Sequence, residues 1–77
     1  MKLSQLLEIT TLDTTIQLDG INSNRIKKNL LNFRSIDEFK HHDTTIYNIC
    51  IEKYGNENIL NQTIENGKLV ILIKYEF

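Results

Sequence analysis

Asn66-Gly67-Lys68-Leu69-Val70-Ile71-Leu72-Ile73-Lys74-Tyr75-Glu76 is the stretch on which the fold turns. Asn-Gly favours a two-residue hairpin turn because both residues accept positive φ, and the residues after it alternate with period two. Leu69, Ile71, Ile73 and Tyr75 make one continuous apolar face, and Val70 and Leu72 make half of another. This predicts a strand over residues 68–76. Upstream, Gly55-Asn56 marks a turn, and residues 59–64 form a weaker strand between the two turns. From Thr44 to Tyr54, Tyr47, Ile49 and Ile51 share one face and Ile46 and Cys50 the other, which predicts another strand.

Further toward the N-terminus, Ser35 with Glu38 three residues later is a capping box and predicts a brief helix reaching about His42. Ile26, Leu30 and Phe33 fall at i, i+4 and i+7 behind the capping residues Asn22, Ser23 and Asn24, which reads as a helix. Asp19-Gly20 offers a turn instead, so residues 20–33 stay open between helix and hairpin. Thr14-Thr15-Ile16-Gln17-Leu18-Asp19 is a β-branched strand, and Ser4 caps a short helix over residues 4–10 with Leu6 and Leu7 turned inward. The expected fold is one α+β domain over residues 1–77 in the order α-β-α-α-β-β-β. Two to three short helices would lie on one face of a small antiparallel sheet of three to four strands.

The chain has 77 residues, with 9 basic and 10 acidic side chains and a net charge of −1. A domain of this size hides only about 60% of the surface its unfolded chain exposes, which argues against a large enzyme with a deep cofactor pocket. The longest apolar run, Leu69 to Ile73, falls far short of the ~20 residues of a membrane span. Ser4, Gln5 and Glu8 interrupt the first apolar stretch, so no secretory segment is read and a cytoplasmic location is expected. The composition is biased, with 12 Ile, 9 Asn and 7 Lys against 2 Arg and no Ala, Pro or Trp. AT-rich codons explain that bias better than any mechanism does.

Four segments together resemble small phage and prophage proteins of low-GC bacteria. They are Met1-Lys2-Leu3-Ser4-Gln5-Leu6-Leu7-Glu8-Ile9, Asp13-Thr14-Thr15-Ile16-Gln17-Leu18, Ile46-Tyr47-Asn48-Ile49-Cys50-Ile51-Glu52 and Lys68-Leu69-Val70-Ile71-Leu72-Ile73. The resemblance covers about half the chain, in element order and hydrophobicity, and transfers no site residues. Residues 20–33 depart from it, and residues 55–66 are longer than usual. It implies a phage context, hence the host-cell cytoplasm. There, proteins of this size bind and block a host factor, as anti-CRISPR and other anti-defence proteins do.

The residues offer little chemistry of their own. His41 and His42 follow Asp37 and Glu38, but adjacent histidines point about 100° apart on a helix and no further cluster completes a metal shell. Cys50, alone and flanked by isoleucines, reads as a buried small hydrophobe. The serines Ser4, Ser23 and Ser35 stand at expected helix starts, and Gly20, Gly55 and Gly67 make no phosphate loop. No catalytic residue, metal or cofactor is expected. The expected activity is non-enzymatic: stoichiometric binding to a protein target, a CRISPR effector or other defence component, by occlusion.

Charge divides the chain, with +3 over residues 25–42 and −3 over residues 43–67. The basic residues Arg25, Lys27 and Lys28, and the turn residues Tyr54, Asn56, Glu57 and Asn58, are the partner-binding candidates. The basic segment also supports an alternative, a nucleic-acid-binding accessory protein, although no RNP-type aromatic motif accompanies it. A third reading is a homodimeric module. Ile46, Cys50, Val70 and Leu72 would form the second sheet face, a candidate for self-association if nothing covers it.

Overall fold

The computed structural model describes residues 1–10, 13–34 and 44–77. Along the chain these form α1 (Leu3–Ile9), β1 (Thr15–Ile21), β2 (Lys27–Phe33), α2 (Thr44–Tyr54), β3 (Ile59–Glu65) and β4 (Lys68–Lys74). The class is α+β as expected, but the order is α-β-β-α-β-β. The expected brief helix ending at His42 falls outside the described residues. The sheet has four strands in the order β2-β1-β4-β3. It is mixed rather than antiparallel: each hairpin is antiparallel, while β1 and β4 run parallel in the centre, in register from Thr15↔Lys68 to Ile21↔Lys74. A parallel pair cannot be joined by a tight turn, so the chain between its strands must cross over and does so with α2.

Two elements exchange type relative to the sequence reading. The segment expected as a helix behind Asn22 is β2, and a bulge is what concealed it. The register with β1 shifts between Leu18 and Asp19, opposing Leu18 to Leu31 and Asp19 to Asn29 and leaving Leu30 as the extra residue. Leu30 and Leu31 therefore both pack against the core, which breaks the period-two pattern and imitates helical spacing. The segment expected as a strand over residues 44–54 is α2. Its Tyr47, Cys50, Ile51 and Tyr54 recur at helical spacing and all belong to the core or pack against it. β-branched residues give this stretch strand character, and burial of that stripe overrides propensity.

The core is one layer between the two helices and one sheet face. Leu3, Leu6 and Leu7 of α1 and Cys50 and Tyr54 of α2 meet Ile16 and Leu18 of β1 and Ile71 and Ile73 of β4. Each fully buried aliphatic side chain contributes about 1.5–3 kcal/mol relative to its exposed state. Helix α1 begins one residue before Ser4, so Ser4 is not its cap. The Lys2 N–H donates to Gln5 Oε1 (2.8 Å), while the free N–H groups of Leu3 and Ser4 donate to the carbonyls of Glu57 and Gly55, both at 3.0 Å. The first turn is thereby clamped to the α2–β3 connection.

Two glycines are demanded by geometry for different reasons. A Cβ on Gly55 would collide with the Ile51 carbonyl oxygen, which accepts the Gly55 N–H that closes α2. Asn66 and Gly67, with φ of 52° and 77°, form the expected hairpin turn, and a Cβ on Gly67 would meet open space. Gly67→Ala is therefore expected to cost about 1 kcal/mol, from backbone strain alone. Gly55→Ala should cost at least about 2 kcal/mol, because main chain must move. Urea unfolding midpoints of the two variants should rank in that order.

Candidate functional site

The sheet has one face under the helices and one that no described residue covers. On β1 the residues alternate, with Ile16 and Leu18 inside and Thr15, Gln17, Asp19 and Ile21 on the open side. The register carries this alternation across the sheet. One row on the open face runs Asn29, Asp19, Leu72, Asn61, and the next runs Asn32, Gln17, Val70, Thr63. Half-buried Val70, Leu72 and Ile21 form an apolar strip flanked by amides.

The amide side is tied together by hydrogen bonds. Gln17 Nε2 donates to Asp19 Oδ2 at 3.0 Å, and Asn29 Nδ2 donates to Asp19 Oδ1 at 3.0 Å and to the Leu18 carbonyl at 3.2 Å. Asn29 and Asn32 exchange amide hydrogen bonds at 3.0 and 2.8 Å. Polar groups held by one another lose less freedom on binding than mobile side chains do, so the face is partly preorganised. At one end of it, Thr15, Ile16, Asn32, Arg34 and Lys68 line a shallow concavity of about 410 Å3. At the other end Lys27 and Lys74 both stand beside Ile21.

The sequence-derived candidates separate into three places. Arg25, with φ 62°, lies in the β1–β2 connection, and Lys27 and Lys28 open β2 opposite Ile21 and Gly20, on a hairpin rather than a helix. The connection is held by the Asn22 side chain, whose Oδ1 accepts from the N–H groups of Asn24 and Ile26, both at 3.0 Å. The ammonium of Lys28 lies 5.5 Å from the centre of the Phe77 ring, a cation–π contact. Asn56, Glu57 and Asn58 form the α2–β3 connection, where Glu57 receives the Leu3 N–H and Asn58 bridges to Lys2.

Tyr54 is a correction: it is buried, with its ring edge-on to Tyr75 at 4.8 Å between centroids, and so is a core residue. The proposed face of Ile46, Cys50, Val70 and Leu72 is a second correction. Because 44–54 is helical, Cys50 points into the core and Ile46 lies exposed on α2, while only Val70 and Leu72 share the open sheet face. Sequence reasoning missed Gln17, Asp19, Asn29, Asn32, Asn61 and Thr63. The alternation of Thr15, Gln17 and Asp19 with Ile16 and Leu18 was a legible signal for β1. The amides of β2 were hidden by its bulge.

Chemistry at single groups is sparse. Among the described residues no cluster of three or more His, Cys, Asp or Glu side chains is placed to hold a metal ion. His41 and His42, with Asp37 and Glu38, lie outside the described residues. No helix among them is long and apolar enough to cross a membrane. Burial pushes the Cys50 thiol up to about 11 from an ordinary 9.0, and burial likewise raises the hydroxyls of Tyr47 and Tyr54. A thiol so held is a poor nucleophile at neutral pH.

A folded-state pKa above the unfolded one means that the native state binds the extra proton, so stability is full below pH 9 and declines as pH rises toward 11. Thermal midpoints measured from pH 7 to 11 should fall over that window, with a smaller fall between pH 9 and 10 in Cys50→Ala. No family model matches this chain, and no curated protein or solved structure does so either.

Proposed function

We propose that this protein acts without catalysis, by stoichiometric binding of a partner protein through the open face of its sheet. The observation that carries the reading is the strip of Val70, Leu72 and Ile21 bordered by the hydrogen-bonded amides of Gln17, Asn29 and Asn32. An apolar centre within a polar border is the usual layout of a protein interface. Lys27, Lys68 and Lys74 stand around the strip and favour a partner with acidic groups at its margin. The mechanism is occlusion, a rigid sheet laid over a functional surface. Resemblance to small phage proteins supports a bacterial defence component, a CRISPR effector among them, as the target.

The test uses the tagged full-length chain to capture partners from nuclease-treated bacterial lysate, followed by direct titration of the purified partner. Val70→Glu and Leu72→Glu should each weaken that titration by about tenfold or more while the melting temperature stays within a few degrees, since both side chains lie outside the core. A partner bound equally by both variants would sink the open-face reading. Capture that disappears with nuclease, weakens steeply with salt and follows Arg25, Lys27 and Lys28 would replace it with nucleic-acid binding.

A further inference from the structure

The two edges of the sheet are built differently. β2 opens with Lys27 and Lys28, and charges on an edge strand deter the addition of another strand. β3 carries no charge from Ile59 to Ile64, and its Leu60 and Ile64 are 54% and 70% exposed. Among the described residues, only the start of its outer side is occupied: the Ile59 N–H donates to the Met1 carbonyl at 2.9 Å, and Lys2 bridges Asn58. At its other end the Asn66-Gly67 turn takes the chain back into β4. Among the described residues, the regular part of the edge left free is Asn61 to Glu65, beyond the bulged Leu60.

The two-residue turn makes Glu65 and Lys68 the hydrogen-bonded closing pair of the hairpin. Alternation then directs the main-chain groups of Asn61, Thr63 and Glu65 toward β4 and those of Gln62 and Ile64 outward.

We propose that a second copy of this chain docks on that edge, β3 antiparallel to β3, with the two-fold axis at Thr63. The ends of the free segment select this centre. Centred on Gln62, the pairing would drive Glu65 of the second copy into the place that Met1 holds opposite Ile59. Centred on Ile64, it would pair only residues 63 to 65. At Thr63 all five residues pair. The outward groups of Gln62 and Ile64 satisfy each other across the axis, and Thr63 meets its own copy. The Asn61 amide faces Glu65, the one carboxylate of the strand, so no like charges are opposed.

The result is a closed two-fold dimer whose continuous sheet has eight strands, four from each copy. Both helical layers then lie on one side and both open faces on the other. The dimer goes beyond the binding reading and stands without it.

The full-length protein should sediment as a concentration-dependent dimer. Residues facing each other across a non-hydrogen-bonded antiparallel pair lie about 4.5 Å apart at Cα, within disulfide reach. Thr63→Cys should therefore cross-link on mild oxidation. Asn61→Cys and Glu65→Cys should each cross-link poorly alone but form mixed dimers when combined, and buried Cys50 should not cross-link in the wild type. Thr63→Lys, which sets like charges across the axis at an exposed site, should raise the dissociation constant by roughly tenfold or more with unchanged melting. A wild type that stays monomeric at millimolar concentration overturns the proposal, as does cross-linking that ignores this register. Loss of the dimer in Ile64→Lys, an exposed edge position that pairs with Leu69 and so lies on the face away from Val70 and Leu72, with partner titration unchanged would separate this edge from the open face.

Discussion

Parallel pairing of β1 with β4 is the constraint that organises the rest of the molecule. It joins the first strand of the sheet to the last over seven residue pairs. Each member brings its own antiparallel partner, so the hairpins β1–β2 and β3–β4 become the two halves of one sheet. A parallel junction needs a crossover, and α2 supplies it on the same face that α1 covers. The four sheet residues of the core, Ile16, Leu18, Ile71 and Ile73, come from this central pair. The outer strands add Leu30, Leu31 and Ile59 at the core's margin.

Among the described residues, one helical layer covers one face of the sheet and none covers the other. The alternation that buries Ile16 and Leu18 necessarily presents Gln17 and Asp19 on the other side, and their hydrogen bonds to each other and to Asn29 result from the register. Val70 and Leu72 are apolar on that same side without being needed by the core. That excess of apolar surface is what the proposed binding mode uses.

Both bulges lie on the outer strands, at Leu30 in β2 and Leu60 in β3. A bulge bends and twists the strand that carries it, and edge strands tolerate the disruption best because one side is unpaired. The same devices explain the limits of reading this chain in one dimension. Leu30 and Leu31 both face inward, so β2 does not alternate and shows helical spacing. In 44–54 the positions 47, 49, 51 fit a strand while 47, 50, 51, 54 fit a helix, and the β-branched composition favours the strand. Lys53 in the last turn and Gly55 just beyond it were local signs of a helix end.

The α+β class, the first helix, the strands β1, β3 and β4, and the Asn66-Gly67 turn were all legible in the order of residues. These rest on local rules: apolar period, β-branching and positive φ. The same rules marked Val70 and Leu72 as apolar residues on a second face. Long-range packing had to settle that residues 27–33 are a strand and 44–54 a helix, that β1 and β4 run parallel, and that Cys50 and Tyr54 belong to the core. Those outcomes depend on which partner buries which stripe. That is a property of contacts between segments far apart in the chain, where burial is worth more than the small differences in local propensity.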